Sequence, residues 1–449
     1  MQTKQRDSFG SRFGVIAAAA GSAIGLGNIW RFPYVLGENG GGIFLLIYLI
    51  LVTMVGIPVM LSEFTIGRRA QRNPYGSFRV LAPGKPWCLV GLVGILAAFM
   101  ILAFYTVVAG WTLEYLYQAI NNGFSGKSPE TIKNMFDVFR SSTFRPILWF
   151  LIFMFMTAWI VVSGIRKGIE KYTKVLMPFL FILILVLDIR AITLPGAGEG
   201  LRFLFKADFS KISTETILEA LGQGFFSLSI GMGTLITYGS YINKKEKLGN
   251  AALNVTIADT LIAVLAGIAI FPAVFAFGIE PGAGTGLVFK TLPLIFQEIP
   301  GGYFFSILFF LLLSIAALTS TISVLEVIVA FFSEELNISR KTATILAVLT
   351  VGILGVMVAG SWGWFSRFHV FKQNFFGIFD FTTANILLPV GGFFIVIFVG
   401  WFMGTQNVKD ELSNGGDIRA SYLPVFVFLV RYVAPLAIAL VFMNGLGWI

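Results

Sequence analysis

Histidine and cysteine are almost missing from this 449-residue chain, which has one of each, His369 and Cys88. A single cysteine excludes an internal disulfide and a cysteine-built metal site. A single histidine argues against a histidine metal cluster or an imidazole relay. Charge is also scarce: Asp, Glu, Lys and Arg make up 12% of the residues, about half of the ~25% usual in soluble domains. No HExxH, GxSxG or nucleotide-binding signature occurs, and no paired carboxylates share a helix face. An enzyme is therefore not expected. The polar start, MQTKQRDSFGSR, precedes an apolar stretch with no small-residue cleavage site, so no cleavable signal peptide is expected. Low-complexity stretches and a separate soluble domain are absent too.

What is abundant is apolar surface. Hydrophobic residues make up 57% of the chain and its mean hydropathy is +0.85. Apolar runs long enough for a bilayer, roughly 20 residues each, recur along its whole length. The pattern reads as eleven helices at 12–37, 42–67, 88–121, 146–164, 169–189, 216–241, 250–279, 302–333, 342–359, 376–404 and 422–446. The class is an all-α polytopic membrane protein with a single transport-sized domain, 1–449, embedded in the lipid bilayer. With the N-terminus in the cytoplasm, the inner loops carry 19 Lys and Arg and the longer outer loops 11. The positive-inside rule then places the N-terminus inside and the C-terminus outside a cytoplasmic membrane. The same loop placement accounts for the pI near 9.5 without a nucleic-acid partner. The outer segments 122–145, 190–215, 280–300 and 360–375 contain apolar patches expected to form short helices over an entrance.

Inside the first span lies AGSAIGLGN, Ala20 to Asn28, with three glycines in seven residues. Each glycine disfavours a helix by about 1 kcal/mol relative to alanine. Gly21 and Gly25 form a GxxxG pair, which also suits close helix packing. A second copy changes the balance. SIGMG at 229–233 matches AIGLG at 23–27 in character and interrupts the sixth span. Helices 1–5 and 6–10 then form two repeats, 12–189 and 216–404, with 422–446 outside them. Five is odd, so the second repeat is inverted; broken helices at matching positions of inverted halves mark the binding sites of secondary transporters. Unwound backbone is tolerated only beside a polar cavity. Its free carbonyls suit a hard cation such as sodium, and half-helix N-termini suit a carboxylate.

These breaks and their flanks resemble the neurotransmitter:sodium symporter family, in particular its prokaryotic amino-acid transporters. GLGNIWRFPYVLGENGGG (25–42) is the most specific stretch. It is supported by IPVMLSEFTIGRRAQ (57–71), FYTVVAGW (104–111), GQGFFSLSIGMGTLITYGSY (222–241), AALTSTISVLE (316–326) and EELNISRK (334–341). The resemblance implies the LeuT-like fold, with eleven helices in place of the usual twelve, a 5+5 inverted repeat and helices 1 and 6 unwound in mid-membrane. It also implies a sodium-coupled symporter working by alternating access.

Carried over residue by residue, it implies two sodium ions and no organic cofactor. The first ion would be held by the Ala23 carbonyl, the Asn28 amide oxygen, Ser227, Asp259 and the substrate carboxylate. The second would use Gly21, Ile24 and Ala316 carbonyls with the Thr319 and Ser320 hydroxyls. The substrate, a small-molecule amino acid, would place its carboxylate on the N–H groups of Leu26 and Gly27 and on the Tyr105 hydroxyl. Its ammonium would go to the carbonyls of Ala23, Phe226 and Ser229. Ile101, Tyr105, Phe226, Met232, Ser320 and Val324 would line the side-chain pocket. That lining carries no charge, so neutral hydrophobic L-amino acids are expected, aliphatic and aromatic alike, with Met232 adapting to each.

Intramembrane ionisable residues are functional candidates by default. Asp259 has no Lys or Arg within a helical turn. Family members that need chloride carry neutral residues there, so chloride-independent transport is expected. Arg31, Asp380 and Gln223 resemble an outer gate; Arg6 with Glu334, helped by Phe9 and Tyr241, resembles an inner one. Glu63 and Glu326 are expected to support the hinges by accepting hydrogen bonds from unwound backbone. Glu114 and Asp188 lie near span ends and are expected to be solvated, and His369 to be exposed. A proton-coupled transporter of the same fold, with Asp259 titrating, is the nearest alternative. An ion channel is the alternative from another class, but no pore-lining repeat or charged ring is visible. The sequence leaves the oligomeric state open.

Overall fold

A computed structural model describes residues 7–279 and 286–448. The described residues are helical throughout, and their only β-pairing is an isolated bridge between Val370 and Gln373. Among the described residues nine helices are long and apolar enough to cross a membrane. They are α2 (Gly42–Ala70), α3 (Cys88–Ile120), α4 (Arg145–Val162), α5 (Ile165–Ile192), α7 (Leu248–Ala276), α8 (Gly302–Glu335), α9 (Arg340–Ala359), α10 (Phe375–Phe402) and α11 (Leu423–Gly445). A tenth, α1, is a bent pair, Arg12–Ala23 and Gly27–Glu38, with 48° between its halves. The eleventh predicted span, α6, falls into Thr214–Ser227 and Thr234–Gly239. Neither half reaches the ~20 residues that crossing requires, because the break lies in the middle. All eleven predicted stretches are helical among the described residues, with ends shifted by a few residues, and ten of them have the length and apolarity of a span when the bent pair is taken as one.

Three of the four outer segments fold as expected, giving short helices at Pro129–Ser141, Ala197–Phe205 and Leu292–Glu298. Residues 280–285 of the third lie outside the described residues. The fourth, 360–375, is instead built from turns and the isolated bridge, with His369 exposed. Within it Phe371 and Lys372 take positive φ, which a helix does not allow, and Phe368, Val370 and Phe371 stay exposed.

The core is set by close backbone approach as well as by apolar burial. The inner half of α6 lies against α2, where a Cβ on Gly67 would come within 2.0 Å of the Ile236 carbonyl oxygen. Small residues at such crossings let membrane helices pack without a hydrophobic driving force between them. α8 is the most enclosed span, with 83% of its apolar window buried. It stands behind both broken helices and presents Ala316, Thr319 and Ser320 to them.

Candidate substrate and ion site

The first break is short and held by side chains. After Ala23 the chain turns extended at Ile24 (φ −71°, ψ 105°). The freed Gly25 N–H donates to Asn28 Oδ1 at 3.0 Å, and the Leu26 N–H donates to the Tyr105 hydroxyl at 2.8 Å. The second break runs from Leu228 to Gly233. Ser229, Gly231 and Gly233 all take positive φ there, at 54°, 84° and 76°. That conformation is easy for glycine and uncommon for serine. The Ser229 hydroxyl donates to the Ser22 carbonyl at 3.0 Å, which ties the second break to the first. The Gly231 N–H donates to Glu63 Oε1 at 2.7 Å, so Glu63 accepts from unwound backbone.

Between the breaks sits a buried polar cluster. Asn28 Nδ2 donates to Asp259 Oδ1 at 2.8 Å, to the Asp259 carbonyl at 3.1 Å and to Ser227 Oγ at 3.1 Å. Ser227 Oγ lies 2.9–3.0 Å from both Asp259 oxygens. The Tyr48 hydroxyl approaches Asp259 Oδ2 at 3.4 Å. Asp259 and Asn28 are fully buried, and Asp259 has no basic partner among the described residues. The one departure concerns Asn28. Its amide oxygen, expected to face an ion, instead caps the Gly25 N–H, while its nitrogen faces the carboxylate.

A second cluster joins α1 and α8. Ser320 Oγ lies within reach of the carbonyls of Ser22 (3.2 Å), Ala316 (3.3 Å) and Ile24 (3.4 Å). Thr319 Oγ1 donates to the Ala316 carbonyl at 3.0 Å. Gly21 is beside them: a Cβ there would lie 3.3 Å from the Thr319 Cβ. Gly21, Ile24, Ala316, Thr319 and Ser320 are thus brought together. Their acceptor atoms, carbonyls and hydroxyls, are all oxygens, which fits a hard monovalent cation and not a soft transition metal. Among the described residues no group of three His, Cys, Asp or Glu side chains has the spacing to hold a metal.

The residues expected around the substrate also meet. A Cβ on Gly25 would lie 2.4 Å from Ser320 Oγ and 2.5 Å from the Tyr105 hydroxyl, and one on Gly27 would lie 3.2 Å from the Phe226 ring. Ile101, Met232 and Val324 are buried on α3, in the second break and on α8. Ala23 and Ser229 are buried as well, joined through the neighbouring Ser22 carbonyl.

The profile of the Sodium:neurotransmitter symporter family matches residues 6–135 and 132–447. The chain belongs to that family. It is 38% identical over 447 residues to the sodium-dependent transporter YhdH of Bacillus subtilis, covering 100% of this chain and 99% of the relative. A sodium-dependent transporter of Haemophilus influenzae is 40% identical over 455 residues, covering 99% of both. The crystal structure of MhsT in complex with L-phenylalanine superposes with a TM-score of 0.90 at 46% identity, over 98% of this chain and 100% of that one. The protein is a sodium-dependent transporter of the LeuT-like fold, not an enzyme, as the sequence implied.

The gates differ from expectation in part. Arg31 and Asp380 form no ion pair within 4.0 Å; the Arg31 guanidinium lies over the Phe226 ring, 4.7 Å from its centroid, and Asp380 is exposed. The two still act on each other electrostatically. Gln223 is nearby but holds the Gly27 carbonyl through Nε2 at 2.9 Å, with its Oε1 buried and unpartnered. On the opposite side Phe9 packs against the end of α6. The Phe9 N–H donates to the Tyr241 carbonyl at 3.3 Å, and the Phe9 ring packs edge-on against Tyr238 and Tyr241. Arg6 lies outside the described residues. Glu334 accepts from the Asn73 backbone N–H at 2.9 Å and from Asn73 Nδ2 at 3.0 Å.

Glu326 requires a correction. It accepts no hydrogen bond from unwound backbone; its partners are the Tyr241 hydroxyl at 2.7 Å and the Arg340 guanidinium. It lies late in α8, opposite the start of α9, where a cation meets it before any break does. Glu114 and Asp188 are also not solvated, being 2% and 6% exposed. Glu114 takes Gln118, Arg145 and Trp149 as donors at 2.6–2.7 Å. Two groups near the site escaped the sequence reading. Tyr48 was legible only as a polar residue in an apolar span. The Ser22 carbonyl carried no sequence signal beyond its place in the break.

Proposed function

We propose that this transporter couples two sodium ions to the uptake of one neutral, hydrophobic L-amino acid, aliphatic or aromatic, without chloride. The observation that carries the reading is the buried Asp259 carboxylate between the two breaks, held by Asn28 and Ser227 with no basic partner. A carboxylate there provides the negative charge that a sodium ion needs and removes the need for a second anion. The phenylalanine in MhsT, a protein of the same fold and 46% identity, supports an amino-acid substrate.

In this reading Asp259, Ser227, Asn28 and Ala23 hold the first ion with the substrate carboxylate. Gly21, Ile24, Ala316, Thr319 and Ser320 hold the second. Leu26, Gly27 and Tyr105 bind the carboxylate, and Ala23, Phe226 and Ser229 the ammonium. Ile101, Met232, Ser320 and Val324 complete the pocket. Each sodium moving down a tenfold gradient supplies about 1.4 kcal/mol, and a 100 mV potential adds roughly 2.3 kcal/mol per charge. Two ions give about 7 kcal/mol, enough for ~10⁵-fold accumulation of a zwitterion. The repeats 12–189 and 216–404 would rock against one another, with 422–446 outside the movement. Arg31, Asp380 and Gln223 would close the outer side, and Phe9, Tyr241, Arg6 and Glu334 the inner one. The protein would sit in the cytoplasmic membrane with its N-terminus inside.

The test is uptake of labelled phenylalanine and leucine into vesicles, with sodium, potassium or a pH gradient as driving condition and gluconate in place of chloride. Sodium-driven uptake of both, unchanged in gluconate, is the expected result. Uptake driven by protons without sodium, or lost in gluconate, overturns the reading.

A further inference from the structure

Outside the central site, a groove of about 360 Å³ opens between α3 and α10, among exposed apolar side chains. Trp87, Val90 and Val93 line one wall and Val390, Gly391 and Phe394 the other, so the walls are almost wholly apolar. Leu89, Leu92 and Leu96 stand exposed beside it on α3, as side chains do where acyl chains are the solvent. Trp87 closes one end, packed edge-on against Phe398 at 5.1 Å, and tryptophan concentrates at the headgroup level of membranes.

The charge at that end is specific. Lys85, two residues before Trp87 and adjacent to the groove-lining Pro86, is exposed and has no acidic partner among the described residues. The neighbouring cation Arg79 is engaged by Glu335 at 3.1 Å. A free ammonium at the mouth of an acyl-sized groove fits a phosphate-bearing headgroup, and anionic lipids gain about 1 kcal/mol per nearby lysine.

The groove is also coupled to the breaks through backbone. Gly391 forms part of its wall, and its other side lies against the second break: a Cβ there would meet the Gly231 carbonyl oxygen at 2.6 Å. A Cβ on Gly231 would in turn meet the Leu388 carbonyl oxygen at 2.5 Å. α10 thus rests directly on the unwound segment whose N–H is held by Glu63. Anything that presses α10 inward narrows the space in which that segment can move.

We propose that this groove binds one acyl chain of an anionic phospholipid, with the headgroup on Lys85, and that its occupancy holds α10 against the second break and raises substrate affinity. The lipid is a bound effector here, beyond its role as solvent. Neutral phospholipids offer the same chain but nothing for Lys85 to bind. They fill the groove less often at equal abundance.

The full chain is reconstituted in vesicles of phosphatidylcholine, with brominated-chain phosphatidylglycerol or brominated-chain phosphatidylcholine added in steps. Comparison with Trp87→Phe isolates the emission of Trp87. Trp87 is expected to be quenched at about fivefold lower mole fraction by phosphatidylglycerol, the ratio that ~1 kcal/mol gives. Lys85→Gln removes that preference. Sodium-dependent phenylalanine binding tightens as phosphatidylglycerol is added to the wild type. In Val390→Trp, whose indole fills the groove, it does not respond. Equal quenching by the two lipids, or a phosphatidylglycerol preference that survives in Lys85→Gln, overturns the proposal. So does protection of Trp87 from both lipids by a second copy of the chain. Sodium-dependent binding in phosphatidylcholine alone reports on the transport reading separately, so the two can fail independently.

Discussion

Replacing Asp259 with asparagine keeps the shape of the buried cluster and removes its charge, so it separates the two roles of the carboxylate. The hydrogen-bonding role is local. Asp259 accepts from Asn28 Nδ2 at 2.8 Å and from Ser227 Oγ at 2.9–3.0 Å. An asparagine oxygen can keep the Asn28 bond, and the Ser227 hydroxyl can rotate to accept from the new amide. Any residual mismatch, worth about 1–3 kcal/mol for a buried group left unpaired, exists with and without sodium and so lowers stability, not ion affinity. The charge acts on the ion itself. Two unit charges about 4 Å apart interact by ~4 kcal/mol at an effective dielectric constant of ~20. Among the described residues no lysine or arginine pairs with Asp259 to divide that interaction.

At ~1.4 kcal/mol per decade, the first sodium site should weaken by up to ~10³-fold, and by at least ~10²-fold once relaxation is allowed for. The assay is a sodium titration of labelled phenylalanine binding to purified protein in gluconate buffer. The curve should shift to much higher sodium, and added chloride should recover part of the loss by restoring a negative charge nearby. A half-saturating sodium concentration within about threefold of wild type, less than ~0.7 kcal/mol, would refute the placement of the ion against this carboxylate.

Three other substitutions probe separate parts of the molecule. Gly25→Ala puts a methyl group 2.4 Å from Ser320 Oγ and 2.5 Å from the Tyr105 hydroxyl; equilibrium binding should show substrate affinity lost by roughly 10- to 10²-fold, within what about 1–3 kcal/mol of overpacking in the pocket gives. Wild-type affinity in that variant would mean that the substrate lies elsewhere. Tyr105→Phe removes the hydroxyl that accepts from the Leu26 N–H and that, in the proposed site, turns to donate to the substrate carboxylate; phenylalanine binding should weaken about tenfold or more, the ~1.5–3 kcal/mol of a hydrogen bond to a charged group, while sodium binding to substrate-free protein stays constant. Glu411→Gln removes the charge that pairs with Arg68 Nε at 2.5 Å, where the two side chains are 5% and 1% exposed. Leaving that guanidinium buried without its counter-charge should cost ~3 kcal/mol of stability, seen as a lower melting temperature with substrate affinity unchanged; an unaltered melting curve counts against it.

The number and order of the spans were legible because an apolar run of bilayer length has few alternatives. The two breaks were legible for a related reason: AIGLG and SIGMG are glycine-rich stretches where glycine is otherwise unfavourable. Side-chain pairing across spans was not. Glu326 was assigned to the unwound backbone because it is an acid in an apolar helix. Its partner Arg340 is 14 residues away, across the turn between α8 and α9, and periodicity gives no access to that contact. Arg31 and Asp380 have complementary charge, but their separation depends on how far the outer side is open, and the Phe226 ring competes for the guanidinium. Asn28 was correctly placed beside Asp259 and Ser227; which end of its amide faces them is set by the Gly25 N–H, a donor that exists only because the helix is broken.

The unwound segments would be of little use for coupling if each only bound its own ligand. The Ser22 carbonyl joins them. It lies at the end of the first half of α1 and accepts from Ser229 Oγ of the second break at 3.0 Å and from Ser320 Oγ of α8 at 3.2 Å. Ser320 also reaches the Ile24 carbonyl at 3.4 Å. Under the proposed ion assignment, a sodium drawn to Ile24 and Ser320 fixes the hydroxyl that holds Ser22. The Ser22 carbonyl in turn positions Ser229, whose own carbonyl would receive the substrate ammonium. Because linkage is reciprocal, a substrate that orders Ser229 must favour the sodium site by the same factor. Symport then needs no separate relay between ion and substrate: the two share one backbone oxygen, and neither site reaches its final geometry until both are filled.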